Sequence, residues 1–171
     1  MKILLILFTF LVNPAVSNMN KPSLVDIRNL LVQAAESKKA NTQLKAALAQ
    51  YGDNNTVING YRGVSTMIEA KHMFNPMSRW NKFKQGRTMM EEAIQSDVNN
   101  FELRYLRFAI QTSVPAVLGY SKHIEEDKRL LIAQLENVKD TDLRNRTVKY
   151  LRSTKLCTPE ELNKLKKWKT T

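Results

Sequence analysis

Residues 99–115 read NNFELRYLRFAIQTSVP. Wound as a helix, Phe101, Tyr105, Phe108 and Ala109 fall on one side, with Leu103, Leu106 and Ile110 on the adjoining arc. Apolar residues recurring at three and four mark a helix rather than a strand. A helix apolar over most of its circumference is packed between neighbours. What remains is one narrow polar stripe, Asn100, Arg104, Arg107 and Gln111. The stretch predicts a central helix, opened by Asn99 with Glu102 three residues on and stopped by Pro115. It also poses a question of geometry. The two arginines either face a groove or pair with an internal acid, with Glu69, Glu102 and Asp127 as candidates, because a charge inside a fold must be paired.

The same period runs through the rest of the chain. Glycine and proline number five each and no alternating strand pattern occurs, so the expected fold is all-α. Ser23 with Asp26 opens a first helix that turns Val25, Leu30, Leu31 and Ala34 inward. After a break at residues 37–41, a second helix carries the stripe Leu44, Ala47, Leu48 and Tyr51, with Gly52 in the C′ position. Residues 53–55 cap a third helix reaching about Met73. Asn75 and Pro76 open a fourth, with proline at N1 where its missing N–H costs nothing. A turn over 115–120 leads to a sixth helix over about 120–137. Asp140 caps a seventh, and Thr158-Pro159-Glu160-Glu161 is a capping box that starts the eighth. About eight helices with short connections predict four antiparallel pairs.

In a stack of such pairs, the first helices line one concave surface. The third helix carries a stripe like that of the fifth: Asn59, Arg62, Thr66 and Glu69. Asn59, Arg62, Glu69, Arg104, Arg107 and Gln111 are therefore the candidate contacts for a protein or peptide in a shared groove, with internal ion pairing as their alternative role.

Two segments also align at a separation of 46 residues: Ala40, Leu44, Ala47 and Gly52 match Gly86, Met90, Ala93 and Val98. This spacing, with the exit AIQSDVNN at 93–100, resembles the second helix of a tetratricopeptide repeat, and Val98 stands where that family has proline. The resemblance implies a right-handed stack of helical pairs. The central block, residues 60–132, is similar to a group of small exported helical proteins of Bacteroidetes, through Asn75, Pro76, Gly86, Ala93, Glu102, Arg104, Leu106, Arg107, Gln111, Pro115, Gly119, Tyr120, Asp127 and Lys128. That resemblance carries no activity with it.

The chain opens with MKILLILFTFLVNPAVSN. Lys2 is followed by an apolar run of about ten residues, too short to span a bilayer. Asn13 and Pro14 break it, and Ala15 and Ser17 are small residues at −3 and −1. This predicts a signal peptide over residues 1–17, cleaved after Ser17, and a periplasmic or secreted product. Residues 18–171 form one expected helical domain whose basic end, 160–171, frays. The single cysteine, Cys157, allows no disulfide within the chain. The 27 Lys and Arg against 16 Asp and Glu leave a net charge of +11, about +10 without Lys2, which attracts polyanions and acidic surfaces. The charge is spread over the chain, so no specific nucleic-acid site is expected, and no second apolar stretch is long enough to predict a membrane span.

Complete catalytic sets are not legible. His123 and Asp127, four apart, make half a cation site, with His72 near Glu69 as the only second source. Cys157 precedes a helix start, where a dipole lowers a thiol pKa, but has no histidine nearby. Adjacent glutamates at 91–92, 125–126 and 160–161 point about 100° apart on a helix. Trp80 and Phe83 among Lys82, Lys84 and Arg87 form either a packing stripe or a stacking platform. No cofactor site is expected. The favoured reading is a non-enzymatic binding or scaffolding module, with an unrecognised enzyme or a charge-driven polyanion or membrane-surface binder as alternatives.

Overall fold

The computed structural model describes residues 21–168; the expected leader, 1–17, and residues 169–171 lie outside them. Eight α-helices follow one another: α1 Leu24–Ala34, α2 Lys38–Leu48, α3 Thr56–Lys71, α4 Pro76–Ser96, α5 Phe101–Ser113, α6 Ile124–Gln134, α7 Thr141–Ser153 and α8 Pro159–Lys166. Short 3-10 turns lie at Ala116–Leu118 and Leu135–Asn137, and no strand occurs among the described residues. No helix among them is long and apolar enough to cross a membrane.

Side-chain caps set most of the starts, because the first N–H groups of a helix have no partner within it. Ser23 and Asp26 form a reciprocal capping box, as do Thr158 and Glu161. Ser37, Asn55, Asn75 and Asp140 each accept from a first-turn amide. Thr158→Ala is expected to cost about 1 kcal/mol, read as a lower denaturant midpoint, while Glu160→Ala beside it changes little.

Four local expectations are corrected. Asn100, not Asn99, caps α5, accepting from the amides of Glu102 and Leu103 at 3.1 Å each. Glu102 thus sits at N2 rather than in a capping box, and its carboxylate is free for another helix. Gly52 is not a left-handed C′ residue; α2 ends with Ala49 in ordinary helical geometry, and the only positive φ among the described residues is at Gly119, +58°. Helix α6 starts at Ile124, because Gly119 reverses the chain and Tyr120 is drawn into the core. In α1 the buried residues are Ile27, Arg28 and Ala34, while Val25 is exposed.

Within α1–α6 each helix packs on the next, α7 packs on α8, and the odd-numbered helices also touch in series from α1 to α7. The α3–α4 contact is the most extensive. It is possible because Gly63 faces Gly86: a Cβ on Gly86 would lie 2.5 Å from the Gly63 carbonyl oxygen. Two apolar clusters result. Ile27, Leu44, Tyr61, Met67, Phe83 and Met90 belong to the first, and Leu131, Leu135, Val148, Leu151 and Leu165 to the second. Helix α5 feeds both. Leu103, Leu106 and Ile110 pack into the first cluster, and Phe101, Tyr105 and Phe108 into the second. The two apolar arcs of the opening stretch therefore have separate destinations.

Candidate functional site

The polar stripe of α5 points at a third neighbour. Asp127 of α6 is 0% exposed. Its Oδ1 accepts from Arg104 Nη1 at 2.8 Å and Arg107 Nη2 at 2.7 Å, and its Oδ2 from Arg107 Nε at 2.7 Å. Arg104 also donates to Glu126 at 2.6 Å and, through Nε, to the Val98 carbonyl at 2.8 Å. Arg107 Nη1 reaches Glu91 of α4 at 2.8 Å, and Glu91 accepts the Tyr120 hydroxyl at 2.6 Å. Both arginines are buried. Forked guanidinium–carboxylate bonds of this kind fix orientation as well as charge. Arg104 and Arg107 thus occupy an internal ion cluster joining α4, α5 and α6.

Glu126 forms the exposed edge of the cluster. Hydrogen bonds from Arg104 and then His123 hold the Glu126 carboxyl at about 2, against its ordinary 4.5. A carboxyl depressed by folding stabilises the native state above the unfolded value, and that contribution is lost as the pH falls through the folded one. The Glu126 side chain is 48% exposed, so screening leaves about 1 kcal/mol or less. Glu126→Gln should lower the urea midpoint modestly near neutrality, and the difference from wild type should close between about pH 4.5 and 2.

A second buried cluster gathers at the first turn of α5, around Glu102. Arg28 of α1 forks onto Glu102 at 2.8 and 2.9 Å and also reaches Asp140 at 2.8 Å and Asp142 at 2.9 Å at the start of α7. The Tyr61 hydroxyl of α3 donates to Glu102 at 2.6 Å. Burial opposes the Arg28 charge, but Glu102 and the two aspartates outweigh it and raise its pKa above the ordinary value. Arg28 was not among the candidates from sequence. The available signal was its place four residues after Leu24 and three before Leu31, within an apolar arc.

The α3 stripe goes elsewhere. Arg62 donates to the carbonyls of Tyr51 at 2.7 Å and Leu48 at 3.2 Å, and to Asp53 and Asn59. It closes the end of α2. Asn59 donates to the Asp53 carbonyl, and Glu69 pairs with Lys45 at 2.9 Å. None of these three hydrogen-bonds to Arg104, Arg107 or Gln111. The faces that α3 and α5 turn to each other carry Gly60, Tyr61, Glu102 and Leu103 instead.

Gln111 is different. It is 3% exposed, its Oε1 accepts from the His123 amide at 3.2 Å, and its Nε2 has no partner. It lines a cleft of about 440 Å³ between the ends of α5 and α7 and the start of α6. Thr112, Val114, Ile124, Tyr150 and Lys155 share that lining. Pro115 has no N–H to offer the Gln111 carbonyl four residues back. The Tyr150 hydroxyl bonds with Thr112 at 2.7 Å and with the Ala109 carbonyl at 3.1 Å, which holds one wall in place.

The remaining candidate chemistry is redistributed. His123 Nδ1 faces Glu126 at 2.8 Å rather than Asp127, whose oxygens are taken by arginines. No group of three or more metal-binding side chains gathers among the described residues. Burial, then Glu161, pushes the Cys157 thiol up rather than down, and its Sγ donates to the Leu151 carbonyl. Phe83 is buried in the first cluster with Trp80 stacked on it, 6.4 Å between centroids. Trp168 packs on the second cluster beneath Arg144. No protein-family model, curated protein or solved structure matches the chain.

Proposed function

We propose that the chain is an exported, non-enzymatic binding module, a stack of four helical pairs of the tetratricopeptide type, that takes a short extended segment of a partner protein in the α5–α6–α7 cleft. The carrying observation is the cleft itself, with Gln111 in its wall, a residue almost wholly buried whose carboxamide N–H₂ has no partner. A buried donor without a partner is costly, and a ligand carbonyl would satisfy it once the Gln111 side chain turns toward the cleft. The Gln111 carbonyl, deprived of a helical partner by Pro115, is the matching acceptor. A donor beside an acceptor suits the alternating C=O and N–H of an extended backbone, and Val114 and Ile124 supply apolar contact. The volume lies within the usual range of about 300–1,000 Å³ for ligand sites. The serial contact of α1, α3, α5 and α7 supports the stacked-pair architecture. A metal-dependent activity built on His72, His123 and Asp127 is the weaker reading, since the Asp127 carboxylate is already engaged.

The test is site-specific photo-crosslinking in the native cell, from Ser121 at the cleft and from Thr42 on α2 as control. A discrete protein adduct from position 121 alone, abolished by Ala116→Trp, is expected. No adduct from 121, the same adduct from 42, or an adduct indifferent to the blocking tryptophan would overturn the proposal.

A further inference from the structure

The α3–α4 turn carries the most exposed apolar group among the described residues. Phe74 is 101% exposed, Met77 67% and Trp80 38%. An apolar residue just before an N-cap ordinarily packs on the fourth helical residue. Here Asn75 is the cap and the fourth residue is Arg79, so Phe74 has nothing to pack against. Met77 and Trp80, three apart, share one side of the first turns of α4. Trp80 is held by its stacking on buried Phe83, and Lys84 Nζ lies 5.8 Å from its ring centroid.

The charge around this tip is one-sided. Between Ala70 and Met90 there are five Lys or Arg and no Asp or Glu. Lys71 Nζ donates to the Ala35 carbonyl at 2.7 Å, which brings Lys38 and Lys39 at the start of α2 to the same end. The acids there are Glu36 and Glu69, and Glu69 is taken by Lys45 and, at 3.9 Å, Lys82. Arg79, Lys84 and Arg87 are exposed.

We propose that this end of the molecule inserts into an anionic lipid surface, with Phe74, Met77 and Trp80 entering the headgroup region while Arg79, Lys84 and their neighbours meet lipid phosphates. The chemistry favours lipid over nucleic acid. A single-strand binder presents aromatic faces as platforms along a basic groove. Here a fully exposed ring and a thioether project from a turn, and Met77 offers no stacking face. Apolar side chains projecting among cations, with a tryptophan at their border, are the pattern of interfacial anchoring. Basic residues near an anionic membrane add attraction that fades within a Debye length.

The experiment is co-sedimentation of the folded protein with vesicles of about three parts phosphatidylcholine to one part phosphatidylglycerol, and with phosphatidylcholine alone. Binding to the anionic vesicles only is expected, weakened about tenfold or more by the double change Phe74→Ser and Met77→Ser, and weakened again by Arg79→Glu with Lys84→Glu. All four positions are exposed, and far-UV circular dichroism should remain that of wild type. Absence of binding to anionic vesicles, or binding indifferent to the Phe74 and Met77 changes, would overturn the proposal. So would a single-stranded oligonucleotide that binds in place of the vesicles with the same sensitivity to those changes.

Discussion

Asp127→Ala is expected to cost about 3–5 kcal/mol, a large share of the roughly 5–15 kcal/mol that holds a domain of this size together. The carboxylate is wholly buried and accepts three charged N–H bonds from Arg104 and Arg107. Its removal leaves Arg107, 3% exposed, with only Glu91 at 2.8 Å and Glu126 at 3.9 Å as acids. Asp127→Asn should cost nearly as much, because an amide N–H₂ replaces one acceptor with a donor facing a guanidinium. The expected result is a fall in the denaturant midpoint with little change in slope. The cost reflects an orphaned charge rather than the worth of the pair. Changing Asp127 to Leu together with Arg107 to Met should therefore recover much of the loss, since apolar replacement of a buried pair is often neutral. If Asp127→Ala left the midpoint within about 0.5 kcal/mol of wild type, Arg104 and Arg107 would have to be solvated.

Gly86→Ala should destabilise by about 3 kcal/mol, although glycine to alanine within a solvated helix gains about 1 kcal/mol. The sign reverses because of what a Cβ would meet: the Gly63 carbonyl oxygen at 2.5 Å and the Met67 amide nitrogen at 2.7 Å. These are backbone atoms, so no rotamer change relieves the clash. Helices α3 and α4 must separate, and Met67 and Met90 lose contact across the seam. Gly63→Ala should behave alike, meeting the Gly86 carbonyl oxygen at 2.8 Å and the Met90 nitrogen at 2.9 Å. Gly52→Ala is the control. Its Cβ meets only the Asn54 side chain, which can turn away, and its thermal midpoint should stay close to wild type. Equal effects at all three positions would remove the close-approach account.

Both sites illustrate what was legible. The caps at Ser23, Asn75, Asp140 and Thr158 could be read directly, because a cap bonds to amides two or three residues away. The Asn99–Asn100 pair could not be resolved locally. Either residue can cap, and the choice falls to Asn100 because Glu102 is needed by Arg28 and Tyr61. The arginines of α5 were identified as a polar stripe with three candidate acids, of which Asp127 is the partner. Glu102 is taken by Arg28 from α1 and Glu69 by Lys45 from α2. Arg28 itself, 74 residues from its partner, had no local mark beyond an apolar arc.

The division follows the range of the forces. Helix period, capping and proline stops act within one turn of chain, so the order of letters settles the all-helical fold and most of the helix starts. The pairing of charges, the crossing at Gly63 and Gly86, and the cleft beside Gln111 depend on which helices meet. That outcome is set by the burial of two apolar arcs of α5 into separate clusters, which leaves the polar stripe facing Asp127.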